Sequence, residues 1–183
     1  MAQIGLRYLK YSPLQDGQPT EVKTLGRAIK CKPTLTTASA KLYADDKVAE
    51  DYDEVIGGTL EVEVDDMTSE VYAEVFGHHY DETDKTVVRN AEDTPIHIRL
   101  GRIVTKLVNN KKQYKVEVLM DVKFKETLPE EVTKADSITL GTLALSGDFY
   151  VPDNGDWSIY KYFDNFEEAS AYLNTCLASE TAS

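Results

Sequence analysis

The sequence predicts a mainly β protein with two helices, and three patterns along the chain support this prediction. Residues 114–124 carry an apolar side chain at every second position without interruption, which is typical of a half-buried strand. At ~3.3 Å per residue this stretch would span roughly 33 Å, about twice a usual strand. Other apolar stretches are separated by Gly, Pro, Asn and Asp, which are turn residues. The apolar spacing of a helix is found at residues 67–76 and 164–178.

Length and composition favour a single domain over residues 1–183. Hydrophobic residues make up 42% of the chain, and a chain of this size buries roughly 70% of its unfolded surface without disulfides. Cys31 and Cys176 have no metal-binding or redox spacing, so we expect small buried thiols in a reducing compartment. The first residues show no signal peptide, and no long apolar run follows. We therefore expect a soluble protein made in a cytoplasm, with no membrane partner.

Charge is distributed in blocks along the chain. The net charge is −12; residues 36–84 carry two Lys against fifteen Asp or Glu, whereas residues 85–126 carry ten Lys or Arg against five acids. Such blocks indicate either a solvated surface or complementary faces that guide self-association. Nucleic-acid capture by the basic residues is disfavoured, because the chain as a whole repels phosphate.

Three strands are predicted in the first third of the chain. They occupy residues 4–11, 22–35 and 59–65, where apolar and polar side chains alternate. Asp16 and Gly17 supply a turn after the first strand, which we expect to end near Ser12-Pro13.

Residues 36–58 show no clear period. An unpatterned stretch of this length in a compact domain usually indicates a functional loop. The aromatic residues Tyr43 and Tyr52 within it favour an ordered contact over a mobile loop. Alternation alone permits a second interpretation, in which Leu42 and Tyr43 are core residues of a further strand.

The first helix is predicted over residues 67–76. Asp65 or Asp66 can cap its N-terminus, and Gly77 supplies its stop. Apolar residues at i, i+4 spacing predict that one helix face packs against a sheet. A short strand is predicted next, at residues 86–90.

A long β-hairpin is predicted over residues 95–126, turning at residues 109–111. One face of its second strand would carry the apolar side chains Tyr114, Val116, Val118, Met120, Val122 and Phe124. The other face would carry the charged side chains Lys115, Glu117, Asp121 and Lys123.

The last quarter of the chain predicts a second hairpin and a closing helix. Strands at residues 137–151 and 157–163 flank an Asp-Asn-Gly-Asp turn. Asp164 as N-cap and Glu167 three residues later form an acidic variant of the capping box, which begins a helix over residues 164–178. Its apolar stripe comprises Phe166, Ala169, Tyr172, Leu173, Cys176 and Leu177.

No catalytic, metal or cofactor site is predicted. His78 and His79 are adjacent and would point apart, and no third ligand follows at a usable spacing, so we expect a surface loop there. Acids at residues 45–54 have no histidine nearby, and Ser146 lacks the preceding glycine of a nucleophile elbow. We therefore expect a protein that is not an enzyme and binds no cofactor.

Five segments of the chain carry a resemblance by their order and spacing. They are IGLRYLKY at 4–11, AKLYADD at 40–46, GTL leading to VDDM at 58–67, DNGDW at 153–157, and FD at 163–164 before the closing helix. Together they resemble the major tail tube proteins of phages with long, flexible, non-contractile tails, over about 160 residues.

The resemblance implies a β-sandwich or barrel of the tail-tube type, with one flanking helix and a C-terminal helix. It also implies hexameric rings that stack into a tube, located in the virion tail and synthesised in the bacterial host cytoplasm. The implied partners are further copies of the chain and the tape-measure, tail terminator and distal tail proteins. DNA would pass through the tube during ejection without specific binding.

The resemblance also implies roles for particular residues. Residues 36–58 would be a long loop that stacks on the next ring, with contacts from Leu42, Tyr43, Asp45, Asp46, Glu50 and Tyr52. The charged face of the long hairpin, namely Lys115, Glu117, Asp121 and Lys123, would belong to the tube wall. An acidic passage would keep DNA phosphates from sticking, although the two lysines make this face mixed in charge.

An alternative from a different class is a soluble β-sandwich module that binds carbohydrate. Trp157, Tyr160 and Tyr162 lie near a turn, as a stacking platform for sugar would. Strand geometry places Tyr160 and Tyr162 on one face but Trp157 and Tyr162 on opposite faces, which favours core or interface roles for them.

Overall fold

The structure, a computed structural model, describes residues 2–44, 47–128 and 141–178, with the backbone alone at residues 44 and 47–49. Over these residues the fold is mainly β, with two helices, which confirms the predicted class at that level. In chain order the elements are β1 (Ala2–Gln15), β2 (Gln18–Pro19), β3 (Lys23–Gly26), β4 (Ala28–Ala44), β5 (Lys47–Val64), α1 (Ser69–Phe76), β6 (His79–Asp81), β7 (Thr86–Val88), β8 (Ile98–Val108), β9 (Lys111–Lys125), β10 (Leu143–Tyr150), β11 (Ser158–Phe163) and α2 (Phe166–Ala178).

Nine of the described strands form one antiparallel sheet that curls around a core. Its order is β2-β1-β8-β9-β10-β5-β4, with β3 beside β1 and β11 beside β9. The backbone N–H of Asp65 donates to the carbonyl of Arg27 at 3.1 Å, which ties the β3–β4 link to the end of β5. β6 and β7 form a separate two-stranded ribbon. The curl produces a sandwich-like body.

Two predicted strand boundaries were wrong. β1 continues through Ser12 and Pro13, and Pro13 lies opposite Ile98 of β8. Proline lacks a backbone N–H, but the loss of this one hydrogen-bond donor does not end the strand, because the residues before Pro13 are paired with β8. The strand predicted over residues 22–35 is two strands, interrupted at Arg27 where the chain passes from β3 to β4.

The first core lies inside the curl, between the sheet and α1. Its largest fully buried side chains include Tyr11, Phe76, Phe124 and Phe149. The Tyr11 hydroxyl donates to the carboxylate of Glu74, so the one polar atom of that buried ring is paired.

α1 begins two residues later than predicted. Its N-cap is Thr68, whose Oγ1 accepts a hydrogen bond from the Val71 N–H at 3.3 Å. Asp65 does not serve as the cap because its carboxylate is engaged by Arg27. Gly77 ends the helix with φ 75°, as predicted, since this left-handed conformation favours glycine.

The second core lies on the opposite face of the sheet, under α2. The helix buries Ala169, Leu173, Cys176 and Leu177, which confirms the predicted stripe. The predicted cap at Asp164 was wrong: the Glu167 N–H bonds to Asn165 Oδ1 at 2.9 Å, and Asp164 instead accepts from Gln113.

β9 does not keep one apolar face along its length. Val118 packs in the second core, whereas Leu119, Val122 and Phe124 pack in the first. The register with β8 shifts by one residue between the pairs Ile98–Val122 and Leu100–Leu119. This extra residue is a β-bulge, which moves the strand's later side chains to the other face. The predicted uninterrupted face was therefore wrong.

The bulge also divides the edge of β9 between two partners. β11 pairs with its first half, from Phe163 opposite Tyr114 to Ser158 opposite Leu119. β10 pairs with its last residues, such as Phe149 opposite Val122. The predicted second hairpin was thus wrong, because β10 and β11 follow one another along β9 and do not pair with each other.

The loop expected over residues 36–58 was wrong for residues 36–44 and 47–58, which are strand. They are the outer part of the β4–β5 hairpin, which pairs from Ala28 opposite Val64 to Ala44 opposite Lys47; residues 45–46 lie outside the described residues. Leu42 and Tyr43 lie in a strand, as the second interpretation held, but they are exposed and belong to no core.

Candidate assembly surfaces

The outer part of the β4–β5 hairpin projects from the body as an unsupported two-stranded ribbon. We call residues 34–55 the arm. Its described side chains are exposed on both faces, apart from the half-buried Val55. Leu42, Tyr43 and Tyr52 are 58%, 66% and 62% exposed. A two-stranded ribbon of this kind is marginally stable in water, so large exposed apolar side chains on it indicate a surface that another molecule covers.

The arm is acidic. Glu50, Asp51, Asp53 and Glu54 all lie on its returning strand, and among the described side chains only Lys41 forms an ion pair with them, to Asp51 at 3.7 Å. Pairing places Glu50 opposite Leu42 and Tyr52 opposite Ala40, so acids and apolar groups alternate across one face. The predicted contacts Asp45 and Asp46 lie outside the described residues.

The four charged residues predicted for a tube wall lie on two different faces. Lys115 and Glu117 face the first-core side of the sheet, where Glu117 Oε2 lies 2.8 Å from Arg102 Nη2. Asp121 and Lys123 follow the bulge and point the other way; Asp121 pairs with His97 at 2.6 Å. The prediction that they share one face was therefore wrong, because the bulge exchanges the two faces.

Four strand segments form a layer that α2 covers on one side. We call it the open layer; it comprises residues 2–7 of β1, 103–107 of β8, 112–118 of β9, and β11. Its other face, which α2 does not cover and which we call the free face, carries Leu6, Val104, Lys106, Lys115, Glu117, Tyr160 and Tyr162, together with the adjoining Arg102 of β8. Arg102 and Val104 are buried at one end of this face, where Arg102 donates to Cys31 of β4, whereas Tyr160 and Tyr162 are exposed.

Cations and tyrosine rings pair on this free face. The Lys115 ammonium lies 4.6 Å from the Tyr160 ring centre and 3.1 Å from Glu117. The Lys106 ammonium lies 5.3 Å from the Tyr162 ring centre and donates to its hydroxyl. Tyr160 and Tyr162 share this face, as predicted, while Trp157 stacks on Phe149 of the first core.

The open layer has an unpaired edge on each side. Over the described residues, β11 is paired with β9 alone and residues 2–8 of β1 are paired with β8 alone, since β3 ends at Gly26, opposite Leu9. Unpaired edges expose N–H and C=O groups that pair readily with another chain.

A buried histidine lies at the base of α1. His78 Nδ1 is 2.7 Å from Asp93 Oδ2, and His78 Nε2 is 3.0 Å from Glu126 Oε1. The expected surface loop was wrong for His78, whose side chain is 1% exposed, although His79 does point out to solvent. Both ring nitrogens face carboxylates, so a ring protonated on both can donate to each. Neither carboxylate could be found from local sequence, since they lie 15 and 48 residues away.

Both cysteines are free thiols, in agreement with the prediction. Burial raises the pKa of the Cys31 thiol, although the nearby Arg102 guanidinium acts in the opposite direction. The described residues contain no group of three or more potential metal-ligating side chains. Neither described helix has the length and apolarity needed to cross a membrane.

No protein-family model matches this sequence, and no curated protein matches it.

Proposed function

We propose that this protein is a structural subunit that assembles with copies of itself into rings and stacked tubes, as the major tail tube proteins of long, non-contractile phage tails do. The observation that carries the proposal is the open layer, a four-stranded unit with an unpaired edge at β1 and another at β11. A single copy leaves both edges unsatisfied, and joining them between copies removes the exposed edges.

Strand directions permit this joining. Neighbouring strands in the order β1-β8-β9-β11 are antiparallel, so β1 and β11 run in opposite directions. When copies are related by rotation about an axis along the strands, β11 of one copy meets β1 of the next in antiparallel orientation. The contact is heterologous and closes into a ring when the rotation divides a full circle.

The two faces of the open layer fit the two sides of a tube wall: the face under α2 would lie outside and the free face inside. α2 and the second core occupy one face, and the exposed Tyr160 and Tyr162 of the free face line the passage. Its lysines are held by Glu117, Tyr160 and Tyr162 on the same face, which weakens their contact with phosphate. DNA then passes without specific binding, and the tape-measure, terminator and distal tail proteins complete the virion tail.

The carbohydrate-binding alternative has one supporting observation, the exposed pair Tyr160 and Tyr162. Sugar stacking requires a free ring face, but Lys115 and Lys106 lie over these two rings. Trp157, the third member of the predicted platform, packs on Phe149. The tube proposal accounts for the unpaired edges of β1 and β11 as well as for the exposed tyrosines, and the carbohydrate-binding alternative accounts for the tyrosines alone.

Electron microscopy of concentrated purified protein tests the proposal. We expect closed rings and hollow rods in negative stain, with rods lengthening as protein concentration rises. A stable monomer at all concentrations, with binding on a glycan array, would instead support the carbohydrate-binding module.

A further inference from the structure

A buried histidine joins three separate parts of the chain beside the first core. His78 follows α1, Asp93 lies in the link between β7 and β8, and Glu126 is the first residue after β9. The His78 ring packs against Tyr72 and Phe76 of α1, with ring centres 5.8 and 6.3 Å away. Its Nδ1 lies 2.7 Å from Asp93 and its Nε2 lies 3.0 Å from Glu126. The number of protons on the ring therefore decides whether both contacts can hold.

The charges around this ring balance when both of its nitrogens carry a proton. Over the described residues, the charged groups that contact His78 directly are the carboxylates of Asp93 and Glu126. The Arg89 guanidinium stands next to them, with Nε 3.8 Å from Glu126 and its carbon 5.2 Å from the Tyr72 ring centre. The Tyr72 hydroxyl donates to Glu126 at 3.4 Å. Two cations and two anions cancel, whereas a neutral ring leaves one negative charge in excess beside a buried side chain.

Asp93 is held in place by other contacts as well. Its carboxylate accepts a second hydrogen bond from the Asn90 N–H at 2.8 Å. The same link is fixed to α1, because the Ile96 N–H donates to the Val75 carbonyl at 3.1 Å. The hydrogen bond from His78 is the main cause that lowers the pKa of Asp93, as expected when an N–H donates to a carboxylate. The Nδ1–H bond to Asp93 is therefore the one that a neutral ring keeps.

The contact with Glu126 is the weaker of the two. It is the longer contact, and the Glu126 side chain is 40% exposed, against 21% for Asp93. A ring Nε2 without a proton presents a lone pair to the Glu126 oxygen, and two acceptors at this distance repel each other. Glu126 can turn to water and to the half-exposed Arg89, so it leaves the ring without losing all of its partners.

We propose that His78 is a pH-sensitive switch at the end of β9: the doubly protonated ring fastens Glu126 to the base of α1, and loss of the Nε2 proton releases it. Histidine is the side chain that ordinarily changes charge between about pH 5 and pH 8. The contact is therefore present on the acid side of the His78 titration and is lost as the pH rises through it. The switch acts within one copy, so its failure would leave the proposed function standing.

Nitrogen-15 and carbon-13 NMR of the full chain test the switch between about pH 5 and pH 8. The Nε2 signal of His78 should change from that of an N–H to that of a bare ring nitrogen, while Nδ1 keeps its proton. The side-chain carboxyl carbon of Glu126 should shift with the same midpoint. The carboxyl carbon of Glu92, which is exposed in the same link as Asp93, should not follow this titration. Loss of the Nδ1 proton in place of the Nε2 proton, or a Glu126 signal that does not respond to His78, overturns the proposal.

Glu126→Gln separates a switch from a contact that is merely structural. A carboxamide oxygen accepts from a protonated Nε2 and a carboxamide N–H donates to a bare one, so this variant should hold His78 at both ends of the pH range. As the pH rises, the melting temperature of the wild type should therefore fall relative to that of Glu126→Gln. Glu92→Gln removes the same charge at an exposed position and should keep the wild-type pH dependence. Equal pH dependence in the wild type and Glu126→Gln would show that the His78 proton does not control the contact.

Discussion

Leu119 and Val122 of β9 both point into the core beside α1, although three positions separate them. In a regular strand, residues three apart point to opposite faces. The bulge at Met120 and Asp121, opposite Arg99, supplies the extra residue that brings both into one core. On the other edge of β9, β11 pairs before the bulge and β10 pairs after it.

Insertion of one alanine between Val122 and Lys123 should unfold the protein. The insertion shifts the later side chains of β9 by one position, so Lys123 would turn into the first core and Phe124 would turn away from it. We expect a loss of more than about 4 kcal/mol, since misplacing one buried Phe alone costs about 3–5 kcal/mol. Circular dichroism melting measures this.

The control for that insertion is Asp121→Asn, which keeps the register of β9 and removes only the partly exposed pair with His97. It should cost less than about 1 kcal/mol. An insertion variant that melts like the control would contradict the register of β9 against β8.

Gly58→Ala should destabilise the root of the arm. A Cβ at Gly58 would lie 2.2 Å from the Thr34 carbonyl oxygen and 2.3 Å from Cζ of the buried Phe149 ring. To make room, the β4 backbone at Thr34 and the packed Phe149 ring would both have to shift. We therefore expect a loss of about 1–3 kcal/mol in the free energy of unfolding. Gly5→Ala is the matched control, since its Cβ meets nothing within 4 Å. Equal stabilities of the two variants in urea titrations would contradict the packing described here.

The free energy of unfolding should fall at acidic pH, because Asp93 becomes protonated. Two hydrogen bonds hold the pKa of Asp93 below its usual value. The bond from His78 has the larger effect, and the bond from the Asn90 N–H has the smaller one. A carboxylate with a depressed folded-state pKa contributes stability above its unfolded pKa of about 3.9, and that stability is lost as pH falls through the folded-state value.

Urea titrations between pH 7 and pH 2 measure this acid dependence. Asp93→Asn should be less stable than wild type at pH 7, and its stability should fall less steeply below about pH 4. Glu92→Gln, at the exposed neighbouring position, should keep the wild-type slope. An unchanged slope in Asp93→Asn would mean that the His78 contact does not form in solution.

The Arg102–Glu117 ion pair should behave as a buried pair. Its side chains are 7% and 15% exposed, and Arg102 also donates to Cys31 Sγ at 3.3 Å. Glu117→Leu leaves the guanidinium without its main partner and should cost about 2–4 kcal/mol. The double variant Arg102→Met with Glu117→Leu should recover part of that loss, because the buried guanidinium is removed together with its partner. Recovery should be incomplete, since Lys115 also loses its ion pair with Glu117.

The exposed pair Lys30–Glu61, at 3.0 Å, is the control for this cycle. Glu61→Leu should change stability by less than about 1 kcal/mol, since exposed pairs are screened by water. A loss as large as that of Glu117→Leu would contradict the difference in burial.

Shortening the arm should separate folding from stacking. Replacing residues 39–53 with Asn-Gly joins Ala38 to Glu54, which already face each other across the ribbon, through a favoured two-residue turn. The removed side chains that the structure describes, at residues 39–43 and 50–53, are exposed, so the melting temperature should change little. Rings should still form in electron micrographs but rods should not; rods of normal length would refute a stacking role for the arm.

Local sequence signals predicted several elements well. The β8–β9 hairpin turns at residues 109–110, as Asn109 and Asn110 indicated, with both residues at positive φ. Gly77 ends α1, and the i, i+4 stripe of α2 is buried. These features follow from conformational preferences and periodicities that act within a few residues, so the chain carries them before it folds.

Tertiary structure alone decided the features on which the proposed assembly depends. A bulge changes register by one residue without altering composition, so nothing local shows that Leu119 joins Val122, or that β11 pairs with β9 and not β10. The arm's exposure could not be read from residues 36–58 either, because a ribbon with polar and apolar groups on both faces has no period. His78 meets Asp93 and Glu126 across 15 and 48 residues. The sequence by itself determined where the two helices and most of the strands form. The partner and the buried face of each strand depended on contacts between distant residues, which exist only once the sheet has curled around its core.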